Sequence, residues 1–209
     1  MHNGTSLKQL SKSLLLGACA LIFSGASIAS AQTFTPSARL TPPPVPDNIK
    51  VPDDVELFLA GHAVGTQNYV CVPSGNGVAY ALFTPEATLF TEEGHQVMTH
   101  FFSPNPEKGN AIQATWEHSR DSSRVWGIVA KQSTDANFVR QDSIAWLLVE
   151  VQGRAEGPTG GQKLTPATHV QRLNTIGGLA PTTGCSVASD LGRKAFVPYE
   201  ADYFFYKAD

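Results

Sequence analysis

From Val55 onward the apolar residues follow the period of a β-strand, and no long window carries the i, i+3, i+4, i+7 stripe of an amphipathic helix. Ten short runs rich in Val, Ile, Thr, Tyr, Phe and Trp are separated by turn-forming residues. They cover residues 55–60, 67–72, 78–83, 88–91, 96–102, 112–118, 124–131, 145–151, 169–175 and 195–206. The region between Gly61 and Gly65 reads as a bend or bulge, and Pro85 and Glu92-Glu93-Gly94 read as breaks. One short helix is expected over 135–140, capped by Thr134 or Asp135. The chain therefore reads as all-β, a single-domain antiparallel β-barrel or β-sandwich of about ten short strands. Both arrangements limit exposed strand edges, and the pattern alone does not separate them. Proline is absent between Pro106 and Pro158, so the strands in that interval can take central positions where every N–H is needed.

The segment before these strands has two parts. Residues 1–31 have the form of a secretion signal: Lys8 and Lys12, an apolar stretch over 14–28, then Ala29-Ser30-Ala31 before Gln32. Leu16-Gly17-Ala18-Cys19 also has the form of a lipobox, but only Ser13, Leu14 and Leu15 separate it from Lys12, which argues for soluble export over lipidation at Cys19. The apolar stretch is interrupted by Gly17, Ser24, Gly25 and Ser27 and is too short to span a membrane. Residues 32–54 carry six prolines and read as an extended lead-in, a spacer or a strap over the barrel end, with residues 55–209 as the β domain. The expected location is secreted or periplasmic, with no transmembrane segment once the signal is removed.

Export bears on the cysteines. Of the three in the chain, Cys71 and Cys185 remain after cleavage, and an oxidising compartment would join them. The bridge would close a long loop, worth up to roughly 4–5 kcal/mol on the chain-entropy model. No CxxC spacing exists, and neither thiol has an adjacent basic residue, so a redox or metal role is disfavoured.

Charge and motifs exclude several functions. The formal net charge is −3, and loss of Lys8 and Lys12 makes the remainder more acidic. There is no basic stripe, so nucleic acid and anionic membrane surfaces are not expected partners. Only 16% of residues are charged, which suits a compact β protein better than long exposed helices. There is no P-loop, GxGxxG or GxSxG, so no nucleotide cofactor and no nucleophile elbow are expected; no cofactor is assigned and the catalytic residues are unknown.

The histidines His62, His95, His100, His118 and His169 form no metal-ligand spacing, and no metal site is assigned. Trp116 and His118 share one strand face, an aromatic beside an imidazole. Either this pair is a ligand contact, or Trp116 is core and Ser119 to Ser123 a hairpin turn closed by Asp121. Val170, Arg172 and Asn174 also share a face, and Arg172 with Asn174 could bind a carboxylate or sugar hydroxyls, or instead tie down the Gly177-Gly178 loop. Tyr199, Tyr203 and Phe205 face one way and Asp202, Phe204 and Tyr206 the other, as on a strand covered on both sides. A buried Asp202 would need a partner, and Arg172 is a candidate.

Several strings together resemble the exported Domain of Unknown Function 3455 family of bacteria and fungi. They include His62-Ala63-Val64-Gly65-Thr66-Gln67-Asn68-Tyr69-Val70-Cys71, Gln171-Arg172-Leu173-Asn174-Thr175-Ile176-Gly177-Gly178, and Val197-Pro198-Tyr199-Glu200-Ala201-Asp202-Tyr203. The resemblance implies no activity and no catalytic residues. The expectation is an exported, disulfide-stapled β domain that binds a small molecule or an envelope component, in a pocket lined by Gln67, Tyr69, Trp116, His118, Arg172 and Asn174. The alternative is a secreted enzyme in which His100 or His118 performs acid/base or metal chemistry.

Overall fold

The computed structural model describes residues 41–209. The proposed leader, including Cys19, and the start of the lead-in lie outside the described residues. Eight antiparallel strands close into one barrel in simple meander order: β1 (Val55–Ser74), β2 (Gly77–Phe90), β3 (Gln96–Asn105), β4 (Ala111–His118), β5 (Arg124–Ser133), β6 (Trp146–Ala155), β7 (Ala167–Gly177) and β8 (Lys194–Ala208). Pairing of β1 with β8 closes the ring, so neither is left as an edge. Among the described residues no helix is long and apolar enough to cross a membrane.

Ten expected strands become eight because two pairs merge. The Gly61–Gly65 region is not a break; it is the middle of one long β1. Its glycines permit close approach instead: a Cβ on Gly65 would lie 1.9 Å from the Glu86 carbonyl oxygen on β2. Likewise β2 runs through Pro85. The β2–β3 ladder starts only at Ala87, so this part of β2 pairs on one side and tolerates a residue with no N–H. The helix expected over 135–140 is absent; Phe138 and Val139 N–H both donate to the Asp135 carbonyl in a single turn, and Asp135 Oδ1 accepts from Asn137 N. One turn fixes too few hydrogen bonds to propagate.

Alternation along the strands produces two apolar layers. The inner face holds Ala63, Leu89, Met98, Trp116, Val125, Val149, Val170, Tyr199, Ala201, Tyr203 and Phe205. The outer face of β1, β6, β7 and β8 holds a second cluster: Ala60, Trp146, Leu148, Leu173, Phe204 and Tyr206, with Val139 from the β5–β6 loop. Ile49 covers it, fully buried, from a short 3-10 turn at Asp47–Ile49. The described part of the lead-in is thus a strap, laid on the barrel's flank and not over its end. Gln171 Nε2 donates to the Ile49 carbonyl at 2.7 Å, Tyr206 Oη donates to Gln171 Oε1 at 2.7 Å, and Asn48 Nδ2 donates to the Gln132 carbonyl at 2.8 Å. This is why β8 is apolar on both faces: one side faces the barrel interior, the other the strap. The same burial drives the Tyr206 hydroxyl up to about 12.

Cys71, near the end of β1, is bonded to Cys185 in the loop between β7 and β8, across a separation of 114 residues. Backbone bonds flank the bridge: Cys71 N donates to the Arg193 carbonyl and Gly192 N to the Cys71 carbonyl. The loop after β7 is thereby held against the barrel's upper rim.

Candidate functional site

A cavity of about 500 Å³ occupies the end of the barrel where β1 meets the bridged loop. Its depth is set by inward positions of β1, β3, β4, β7 and β8: Gln67, His100, Trp116, Arg172 and Tyr203. Its rim is apolar and open to solvent, with Ile112 62%, Val129 51%, Leu179 46% and Leu82 41% exposed. Ile112, Ala114 and Trp116 descend one face of β4, so a single strand leads from apolar mouth to aromatic floor.

The floor is aromatic and polar together. His100 stacks on Trp116 with ring centroids 4.5 Å apart and planes 8° from parallel. Tyr203 lies against both, at 5.2 Å from His100 and 5.7 Å from Trp116. His100 Nδ1 donates to the Thr115 carbonyl at 2.8 Å, which fixes the tautomer, because a carbonyl can only accept. Burial holds the imidazole down at about 3, the Thr115 bond opposes this, and the Arg172 charge adds to it; His100 is neutral. Burial raises the Tyr69, Tyr199 and Tyr203 hydroxyls, with the Arg172 charge partly offsetting the rise at each. Tyr69 Oη donates to the Gly178 carbonyl at 2.6 Å, and Gly178 takes φ +83° where a Cβ would press on Tyr199, Ile144 and Gln67.

Arg172 is the cation of this floor. It pairs across the sheet with Tyr203, and its Nε and one Nη donate to the Ala145 carbonyl at 3.3 and 2.8 Å. That contact ties β7 to the loop before β6, not to the Gly177-Gly178 loop. No Asp or Glu lines the cavity, and among the described residues Arg172 forms no ion pair. Two donors of the lining have no partner: Trp116 Nε1 and Gln67 Nε2, on side chains only 1% and 2% exposed. The Asn68 amide, at the β1 bulge, is unpartnered as well but lies outside the cavity lining.

Of the six residues expected to line a pocket, Gln67, Tyr69, Trp116 and Arg172 come together here. His118 does not. It shares the inward face with Trp116 but sits at the last position of β4, toward the opposite end of the barrel. There its Nδ1 donates to Asp121 Oδ1 at 2.9 Å, beside a second cavity of about 380 Å³ lined by Glu93, His95, Arg120 and Lys163 among others. Asp121 closes the 119–123 turn. Burial would raise its carboxyl, but donation from Lys163 N, Ser123 Oγ, Ser123 N and His118 together brings it down to about 2.

Asn174 does not line the cavity either. It sits at φ +50° where the β7–β8 register shifts, and its Nδ2 donates to Asp202 Oδ2 at 2.8 Å. Asp202 also accepts from His62 Nδ1 at 2.7 Å, so its partners are His62 and Asn174 on the outer wall, not Arg172 inside. Alternation had no means to locate that shift. Conversely, His100, Ile112, Leu82, Val129, Leu179 and Tyr203 line the cavity and were missing from the expected lining; Ile112 and Tyr203 could have been found by extending the parity of Trp116 and Tyr199 along their strands.

Among the described residues no three His, Cys, Asp or Glu side chains are placed to hold a metal ion. What the fold and the cavity define is a closed, disulfide-linked β-barrel with a solvent-open chamber at one end. The profile of a family described as "Protein of unknown function (DUF3455)" matches residues 52–207, and the chain belongs to that family. No curated protein and no solved structure matches it.

Proposed function

We propose that the protein is an exported binding module that takes a small, largely apolar molecule into the upper chamber of its barrel. The observation that carries this is the apolar rim. Ile112, Val129, Leu179 and Leu82 are held exposed around an opening of about 500 Å³, a size suited to one small ligand. Burying such a rim against a ligand releases roughly 25 cal/mol per Å² of apolar surface, a driving force that the free protein leaves unused. The disulfide supports an oxidising compartment. It also anchors the loop that carries Leu179, so the mouth is preorganised.

The test uses N-phenylnaphthylamine, a neutral probe that brightens in apolar surroundings, with Ala114→Phe, which fills the chamber from β4. Saturable binding by the natural chain, weakened at least tenfold in the variant while the melting temperature holds, is the expected result. Absence of saturable binding, or equal binding by both proteins, would refute the chamber as a ligand site.

A further inference from the structure

The two buried polar atoms of the lining that lack a partner are both donors, and the only formal charge among the cavity's lining side chains is positive. Trp116 Nε1 and Gln67 Nε2 are buried without partners, a cost that an ordinary protein interior avoids by pairing such groups. Arg172 retains N–H groups beyond the two given to Ala145, with no carboxylate opposite it. Tyr203, His100 and Trp116 are in mutual ring contact, and Tyr203 faces Arg172 across the sheet, so cation and indole belong to one contiguous floor. His100 already spends its one N–H on Thr115.

We infer that the ligand enters with a carboxylate foremost, its oxygens accepting from Arg172, Trp116 Nε1 and Gln67 Nε2, while its apolar remainder lies against Ile112, Leu82 and Leu179. This rests on the chamber being the binding site and names the chemical class that the site takes. A carboxylate is the group that meets both demands at once: it accepts several hydrogen bonds and neutralises a guanidinium. An amide oxygen satisfies the indole but leaves the charge unmatched. An ammonium meets neither and is repelled. The ligand class is thus an amphipathic monocarboxylate with a tail short enough for the chamber.

Competition against N-phenylnaphthylamine with octanoate, octanamide and octylamine tests this in the unmodified protein. Octanoate should displace the probe at a concentration roughly ten- to a hundredfold below octanamide, the range of one charge-assisted hydrogen bond set, and octylamine should not displace it. Arg172→Gln should close the gap between octanoate and octanamide, and Arg172→Lys should restore part of it. Trp116→Phe should weaken both ligands by a similar few-fold factor and leave their ratio unchanged. Octanamide or octylamine displacing the probe as well as octanoate overturns the carboxylate while leaving the chamber intact, as does a ratio that survives Arg172→Gln in a folded variant. A probe that does not bind, or that binds regardless of Ala114→Phe, overturns the chamber itself. The ligand series on the natural chain decides the matter even if a floor variant does not fold.

Discussion

Breaking the Cys71–Cys185 bridge tests how the barrel is held closed. The bridge joins residues 114 apart, and loop closure over that length gives about 4.8 kcal/mol of stabilisation through the unfolded chain. At about 2–4 °C per kcal/mol for a domain of this size, removing it should lower the melting temperature by roughly 10–20 °C. Cys71 is 1% exposed, so Cys71→Ala adds a small packing loss that reduction of the natural protein does not. The assay is therefore urea unfolding of three samples: oxidised, reduced, and the Cys71→Ala, Cys185→Ala double variant. Reduced and double-variant proteins should lie within about 1 kcal/mol of each other and several kcal/mol below the oxidised one. Their m-values should also be larger, because an uncrosslinked denatured chain exposes more surface. A loss below about 1 kcal/mol on reduction would refute the loop-closure reasoning. It would mean that the flanking Cys71–Arg193 and Gly192–Cys71 backbone bonds hold the loop unaided.

Acid should destabilise the fold in two windows. His100 is depressed to about 3 from 6.5, so the unfolded state binds its proton first and stability falls from pH 6.5 downward, by at most about 1.4 kcal/mol per pH unit; His100→Gln should flatten that slope in pH-dependent urea titrations, and an unchanged slope would contradict it. Asp121, held at about 2, contributes stability present above pH 3.8 and lost as pH falls through 2, and Asp121→Asn should remove that step and loosen the 119–123 turn, read as faster amide exchange at Lys163 and Leu164. Trp146→Ala, in the outer cluster beside Phe138 at 6.1 Å, should cost about 3–5 kcal/mol in urea unfolding without shifting octanoate affinity; a shift in affinity would mean that the two layers are coupled.

Period-two alternation sufficed for the all-β class, though not for barrel over sandwich, and for which side chains share a face, because the pleat enforces it residue by residue. Tyr199, Tyr203 and Phe205 against Phe204 and Tyr206 is the clearest case. It did not give strand lengths. Gly65 and Pro85 look like punctuation in sequence, yet Gly65 serves a close β1–β2 approach and Pro85 uses the unladdered side of β2. Nor did it give depth: Trp116 and His118 share a face, but two positions along a strand separate a floor residue from one at the far end. Register was hidden too, since the shift between Leu173 and Ile176 that turns Asn174 outward leaves no mark in the alternation. The cysteine pair was readable because Cys71 and Cys185 were the two left after the proposed cleavage.

The strap has a practical bearing on where this domain begins. The family match starts at residue 52, whereas the side chain that seals the flank is Ile49. A chain trimmed to the matched boundary would keep every strand and lose its cladding: Trp146, Leu148, Phe204 and Tyr206 would face water as one sticky patch, and Gln171 would lose its acceptor. Self-association of such a trimmed protein would reflect a missing sleeve of some half-dozen residues and would say nothing about assembly of the natural chain.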